Sequence, residues 1–243
     1  MQDLATSNAA AVSLIGWWRD AGVDMLVDEV AVPWLQKAQA TPDSKPPTKA
    51  SQAQPAPSDA PLPESLAALT HWLMTSPDIP DTAPPSRRIA ASGAAGAPLM
   101  ILIDMPEVND HEAGQLLSGE CAKLFENMLA AIGQDRSTVY VAALCPARPV
   151  TGRLNDAALA RLTEIARQHV AFSVPKRLWL LGSTVSRALL GVDDVASRGN
   201  LHDFNHATVN IPTVASFAPR FLLDHPAQKA SVWADMQMLI KGM

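Results

Sequence analysis

The sequence predicts an α/β protein with three layers, α/β/α, around a central, mainly parallel four-stranded sheet. Two observations predict this class. Four continuous apolar segments of strand length are separated by segments whose apolar residues recur at helical spacing. Strands that are apolar along their whole length are typical of a parallel sheet covered by helices on both faces. The predicted strands are LMILID, TVYVAAL, RLWLLG and NIPTVAS.

The helices that cover the sheet are predicted from amphipathic segments on either side of these strands. They are ESLAALTHWLM, GECAKLFENMLAAIG, NDAALARLTEIARQHV, STVSRALLG and KASVWADMQMLI. Together with the strands they define a domain over residues 64–243. A chain of 243 residues has room for one such domain and a smaller extra element.

Two segments precede this domain. Residues 1–40 have apolar residues at helical spacing and are predicted to form an N-terminal helical segment, whereas residues 41–63 are rich in Pro, Ser and Ala and are predicted to be a flexible linker. A short helical segment before a long linker has little core of its own to join. Its tryptophans, Trp17, Trp18 and Trp34, are therefore candidate contacts for a protein partner.

Composition limits the classes of function. Hydrophobic residues make up 48% of the chain and charged residues 18%, which is typical of a folded protein. No apolar run approaches the roughly 20 residues of a membrane span, and the N-terminus lacks the pattern of a signal peptide, so a cytoplasmic location is expected. The net charge of −5 opposes DNA binding unless a local basic patch supplies it.

The carboxyl ends of parallel strands are where an α/β sheet places its functional groups. Acidic residues and a histidine follow the first strand: Asp104, Glu107, Asp110, His111 and Glu112. They could hold a general base or a divalent metal ion, but such residues are more often helix caps or solvated surface, and we favour that interpretation for all of them except Asp104.

Other residue types with metal-ligand chemistry are sparse. The group His202, Asp203 and His206 has spacing compatible with zinc, but no strong third ligand is near it in sequence, and we interpret it as a polar loop. Cys121 and Cys145 have no paired spacing, which disfavours a disulfide scaffold and a cysteine-bound metal.

Several short motifs follow one another at the ends of these predicted strands. The first is IDMPEVNDHEAGQLLSG, with Pro106, Gly114 and Gly119, and the second is YVAALCPARPVTGR, with Tyr140, Arg148, Pro149 and Arg153. LGSTVSRALLG, an Arg198–Gly199 pair and SFAPRFLL follow. From about Ser65 to Met243 the chain resembles the uracil-DNA glycosylase superfamily, and specifically its iron–sulfur, family-4-like branch.

The resemblance implies how a pocket at these strand ends would work. Members flip a deoxyuridine out of DNA, stack its base on an aromatic ring, read its polar edge with an amide and stabilise the departing uracil anion. The stacking Phe corresponds to Leu117, the base-reading Asn to Ala143 and the leaving-group His to Ala218. Only the acidic residue near the attacking water has a counterpart, which is Asp104. Ile103 and Glu107 stand at the two positions of this loop where the family has glycines.

The cluster ligands of that branch are also replaced. The loop before Leu99 has no cysteine, and the later ligand positions correspond to Ala147 and Leu162. The resemblance therefore implies a protein without an iron–sulfur cluster, and no other cofactor is expected.

These replacements lead to a principal hypothesis and two alternatives. We expect a degenerate member of the superfamily that has lost uracil excision and acts as a binding or accessory protein in DNA repair. One alternative is an active glycosylase with altered base specificity that uses Asp104 to orient water, and the other is a protein-interaction module that recruits a partner through its N-terminal segment. DNA binding, if retained, is expected to be weak and to involve Arg148, Arg153, Arg198 and Arg220.

Overall fold

The structure, a computed structural model, describes residues 61–80, 84–191, 198–207 and 209–241. The predicted N-terminal helical segment, with Trp17, Trp18 and Trp34, lies outside the described residues, as does most of the predicted linker. Within the described part of the chain, no helix is long and apolar enough to cross a membrane.

A five-stranded sheet forms the centre of the domain. Its strands are β1 (Leu99–Ile103), β2 (Val139–Ala143), β3 (Arg177–Leu181), β4 (Leu201–His206) and β5 (Val209–Ser216). Their spatial order is β2-β1-β3-β5-β4. The first four strands of that order are parallel, and β4 pairs with β5 in the antiparallel direction.

Helices cover both faces of this sheet. They are α1 (Leu66–Thr75), α2 (Asp110–Ala113), α3 (Gly119–Ala131), α4 (Asp156–Ser173), α5 (Ser183–Leu190), α6 (Pro219–Asp224) and α7 (Lys229–Ile240). Side chains alternate along each strand, and the sheet accordingly separates two apolar clusters. Met100 and Leu102 pack with residues of α1, α4 and α5 on one face. Leu99 and Ile101 pack with residues of α3, α6 and α7 on the other.

The predicted three-layer α/β/α class is confirmed, with one correction to the strand count. The segment LHDFNH was interpreted as a polar loop, but it forms the antiparallel edge strand β4. Only Phe204 of this strand is buried, because an edge strand needs apolar side chains only where it faces the core. His202 and His206 share a face with Phe204, and no group of three potential metal ligands forms among the described residues.

Candidate functional site at the carboxyl edge of the sheet

The sheet order brings the ends of β2, β1, β3 and β5 together along one edge. Ile103, the last residue of β1, is in register with Ala143 of β2 and Leu181 of β3. Leu181 is in register with Ser216 of β5. The predicted site residues that follow these strands therefore share one edge. Adjacent strands lie about 4.8 Å apart, so the ends of β1 and β5, separated by β3, are about 10 Å from each other.

Asp104 follows β1 and its carboxylate contacts the loop after β3. Its Oδ1 accepts a hydrogen bond of 2.6 Å from the backbone N–H of Val185, in the first turn of α5. A Cβ added to Gly182 would lie only 2.5 Å from Asp104 Oδ2, and the φ of Gly182 is +132°. This close approach requires glycine at position 182. The half-buried carboxylate of Asp104 thus stabilises the N-terminus of α5.

Asp110 holds the rest of the loop after β1. It is fully buried, and its Oδ2 accepts hydrogen bonds from the backbone N–H groups of Glu107, at 2.9 Å, and Leu117, at 2.8 Å. Its Oδ1 accepts from the N–H and the hydroxyl of Ser118, at 2.7 and 2.6 Å. The interpretation of Asp110 as a helix cap or solvated residue was wrong. It satisfies backbone donors across the loop, which is how a buried carboxylate is tolerated.

Leu117, at the position of the predicted stacking ring, is buried in the core with an exposed fraction of 1%. Its backbone has a φ of 55°, a left-handed conformation that is rare for residues other than glycine. Both of its backbone polar groups are bonded, the N–H to Asp110 and the carbonyl to Arg136 Nη2 at 2.6 Å. The loop therefore keeps a strained geometry around a side chain that has no π face.

Two further predicted pocket positions are occupied by alanine. Ala143 is the last residue of β2 and is half-buried. Ala218 is half-buried and stands immediately before α6, whose first residue is Pro219. Proline is favoured at this first helical position because its missing N–H has no partner in the helix. The segment from Ser216 to Leu223 is thus partly helical. Neither Ala143 nor Ala218 has a side chain that can form a hydrogen bond at this edge of the sheet.

Glu107 is the second carboxylate at this edge. Its side chain is half-buried and forms no hydrogen bond or salt bridge with other described residues. Burial raises the pKa of the Glu107 carboxyl, and the nearby Arg148 guanidinium only partly opposes that shift. A half-buried carboxyl with a raised pKa is a candidate for proton transfer.

A stack of planar groups follows β5. The Arg198 guanidinium lies 3.6 Å from the centre of the Phe217 ring. Phe217 stacks on Phe221 with centroids 4.6 Å apart, and Phe221 stacks on His225 at 4.2 Å. Phe217 and Phe221 are half-buried and His225 is exposed, so the stack runs from the edge of the core to solvent.

The four predicted DNA-contact arginines differ in what they already contact. Arg198 lies on Phe217, and Arg220 is close to Glu120 and Asp224, at 3.9 and 3.8 Å. Arg148 and Arg153 are both exposed, and neither forms a salt bridge with another described residue. Arg148 donates a hydrogen bond of 3.1 Å to the carbonyl of Pro106, which joins the loops after β2 and β1.

Two buried polar groups near this edge were missed by sequence reasoning. Beneath β5, the Ser216 hydroxyl donates to Asp235 Oδ2 at 2.9 Å and accepts from the Trp179 indole at 3.0 Å. Asp235 Oδ1 accepts from the N–H of Gly199 at 3.2 Å. Burial raises the pKa of Asp235. Asp235 lies within an amphipathic helix, and no local sequence pattern distinguishes it from a surface residue.

The other missed group lies beneath β2. Tyr140 Oη and His169 Nε2 are 2.8 Å apart and both side chains are buried. Burial lowers the pKa of His169 to about 4, so the imidazole is neutral at pH 7. A cavity next to His169 and Ala143 has a volume of about 10 Å³, which is room for one water molecule at most.

The residues at the expected cluster positions do not fit an iron–sulfur cluster. Ala147 and Leu162 are both fully buried apolar residues, and Cys145, also buried, donates its thiol to the Ala147 carbonyl at 2.9 Å. Burial raises the pKa of the Cys121 thiol to about 11, which disfavours the thiolate that a metal needs.

A comparison with known protein families agrees with this geometry. The model of the uracil DNA glycosylase superfamily matches residues 90–237. The matched segment covers all five strands, the loops after β1 and β5, and most of α7. It also spans well over half of the 243 residues. The chain therefore belongs to the uracil DNA glycosylase superfamily.

Proposed function

We propose that this protein binds DNA without excising uracil, as a degenerate member of the iron–sulfur, family-4-like branch that acts in DNA repair as a binding or accessory protein. One observation is the main support. The loop after β1, which would form part of the base pocket, is held in place by specific hydrogen bonds. The three positions at which the family has its stacking, base-reading and leaving-group side chains are occupied here by Leu117, Ala143 and Ala218.

The lost chemistry is specific to each position. An aliphatic side chain at 117 cannot stack on a flipped base as a ring does. Methyl groups at 143 and 218 can neither pair with the uracil edge nor donate to a departing uracil anion. Removal of a single electrostatic donor typically costs a factor of about 10²–10³ in rate. The loss of several therefore leaves little excision to expect.

Asp104 alone does not replace these groups. One of its carboxylate oxygens accepts the Val185 N–H, and both oxygens lie against Gly182. This contact gives the aspartate a structural reason to be present that is independent of catalysis. A carboxylate that orients a water molecule supplies neither the stacking nor the leaving-group stabilisation that the replaced side chains would give.

DNA binding is proposed for the same edge because its exposed cations are there. Arg148 and Arg153 extend from the loop after β2 and are exposed; neither forms a salt bridge with another described residue, although the Glu107 carboxyl is near Arg148. The net charge of −5 opposes binding, so we expect weak affinity that falls steeply with salt.

The test combines binding with product analysis. Fluorescence anisotropy of labelled single-stranded and duplex DNA at low salt measures affinity, and chromatography of the same mixtures measures released base. DNA that contains uracil, hypoxanthine, xanthine or an alkylated purine forms the substrate panel. We expect salt-dependent binding of all substrates and release from none. Absence of DNA binding at low salt would refute the binding role.

A second candidate, a glycosylase with altered base specificity, is favoured by Glu107. A half-buried carboxyl with a raised pKa at this edge is suited to donate a proton to a base that leaves more readily when protonated, as purines do. Base release from one member of the panel, lost in Glu107→Gln and retained in the surface control Glu112→Gln, would establish this candidate in place of the first.

A further inference from the structure

An apolar groove lies among the helices that cover one face of the sheet. Its walls come from α3, α6 and α7, and its volume is about 170 Å³. Among the residues that line it, Leu222, Val232 and Met236 are buried, whereas Trp233 is 47% exposed. No residue of the candidate site at the carboxyl edge lines this α3/α7 groove, which is therefore a separate feature of the surface.

Trp233 distinguishes the groove from ordinary surface. It is the one aromatic residue among the large exposed hydrophobic side chains of the described chain. Its indole forms no hydrogen bond or ring stacking with another described residue. Ile240, which is 38% exposed, lies about two turns further along the same side of α7 and extends the apolar surface. Tryptophan is enriched at protein interfaces, because its ring packs against apolar groups while its N–H donates a hydrogen bond.

The size of the groove indicates which group would fill it. An apolar cavity of about 150 Å³ takes up a benzene molecule. A groove of about 170 Å³ therefore has room for one aromatic ring. Met128 and Met236 line it, and methionine side chains adapt their shape and pack favourably against the edges of rings. A single phenylalanine or tryptophan side chain of a partner fits this space.

The charges on α7 indicate what should flank that ring. Lys229 lines the groove, is exposed and forms no salt bridge with another described residue. Asp235, the one carboxylate in the sequence of α7, is buried and accepts a hydrogen bond from Ser216. The exposed charge of α7 is therefore positive, although the chain as a whole has a net charge of −5. Carboxylates are the complementary groups on a partner.

The carboxylates of the neighbouring helices face arginines. The distances from the nearest guanidinium nitrogen are 3.9 Å for Glu120, 3.0 Å for Glu126 and 3.8 Å for Asp224. Lys229 is thus left to attract an acidic partner. A second copy of the chain would bring a second Lys229 to the same surface, and this like charge disfavours self-association through the groove.

We propose that the α3/α7 groove docks an acidic segment of a partner protein, in which one aromatic side chain fills the groove and neighbouring carboxylates bind Lys229. This docking role goes beyond the proposed DNA binding and does not depend on it, because the two surfaces share no residue. A chain that holds DNA at the carboxyl edge and a partner protein at the groove would bring the two together.

The experiment selects ligands for the full chain from a displayed library of random peptides and measures the enriched peptides by fluorescence anisotropy. We expect the enriched peptides to share one aromatic residue with aspartate or glutamate beside it. Trp233→Ala should weaken their binding at least about tenfold, as truncation of an aromatic anchor does. Lys229→Glu should weaken binding about fivefold and remove most of its dependence on salt, since the charge is at the rim.

A variant with a filled groove is the sharpest test. Ala131 lines the groove and is exposed at the end of α3, so Ala131→Phe adds a ring there without removing a core side chain. Binding should fall at least about tenfold. Ala130 is also exposed but does not line the groove, and Ala130→Phe should leave affinity unchanged. Lys176→Glu, at an exposed position before β3, is the matched control for the charge reversal.

The outcomes identify the occupant of the groove. Enriched peptides without an aromatic residue or without carboxylates would overturn the docking role, as would failure to enrich any peptide. Binding that Trp233→Ala and Ala131→Phe leave intact, or that Ala130→Phe weakens equally, would also overturn it. A dimer seen by light scattering that Ala131→Phe dissociates would show that a second copy fills the groove instead. DNA affinity decides the proposed function separately, so either conclusion can fail while the other stands.

Discussion

The loops after β1 and β5 lie at the same edge of the sheet, and they are held by different means. The loop after β1 is organised from inside by Asp110, whose carboxylate bonds three backbone N–H groups and one hydroxyl of the loop itself. The segment after β5 is held by the ring stack of Phe217, Phe221 and His225 and, from below, by Asp235 on α7.

The difference shows which part of the site depends on a buried polar group that cannot contact a ligand. Asp110 fixes the backbone on both sides of Leu117 yet is fully buried and cannot reach a ligand. The stack after β5, in contrast, reaches solvent at His225. The first loop is therefore expected to fail as a unit when one residue changes, whereas the second should lose stability in small steps.

Asp110→Ala should have the largest effect. The substitution leaves the N–H groups of Glu107, Leu117 and Ser118 without an acceptor, and we expect the free energy of unfolding to fall by about 3–5 kcal/mol. Urea denaturation measures it. Glu112→Ala, on the exposed side of the same loop, is the control and should change stability by less than about 0.5 kcal/mol. Equal losses in both variants would contradict the role of Asp110.

Asp235→Ala should have an intermediate effect. The Ser216 hydroxyl and the Gly199 N–H would lose their shared acceptor, at a cost of about 2 kcal/mol. Because burial raises the pKa of Asp235 in the folded state, its contribution is fully present below about pH 4, the ordinary aspartate value, and is lost as pH rises through the folded pKa.

The pH dependence of Asp235 is best measured by difference. His169, with a pKa lowered to about 4, contributes with the opposite sign, since its contribution is complete above about pH 6.5 and is lost as pH falls towards 4. The stability of the wild type minus that of Asp235→Asn cancels this term. That difference should fall from pH 4 to pH 7, and a rise over the same range would refute the assignment.

Truncations in the stack should have the smallest effects. Phe221→Ala removes the central ring, which touches both Phe217 and His225, and we expect a loss of about 1–3 kcal/mol. His225→Ala removes only the exposed outer ring and should cost less than about 0.5 kcal/mol. Thermal denaturation of the two variants measures the gradient, and equal losses would mean that the stack is not a graded element.

The same contrast explains what the sequence could and could not predict. Strands β1, β2, β3 and β5 are continuous apolar runs, so their existence and parallel arrangement followed from pattern alone. Strand β4 has one buried residue, Phe204, and so gives no strand signal of its own. Its position depends on pairing with β5, which a local pattern does not contain.

The site was predictable where a residue follows a strand end, and not where its partners are distant. Asp104, Ala143 and Ala218 were placed at one edge because parallel strands end together. The burial of Asp110 depends on donors that the folding of the loop brings to it, and the bond of Asp235 to Ser216 joins α7 to β5. Neither carboxylate differs in local sequence from a solvated one.

The most direct test of the central claim is uracil release from single-stranded DNA with protein in excess over substrate, followed over hours. We expect no release above that of a protein-free control, because Leu117, Ala143 and Ala218 cannot stack, read or stabilise the base. Release by the wild-type chain that Asp104→Asn abolishes would contradict the loss of excision and identify the protein as an active glycosylase.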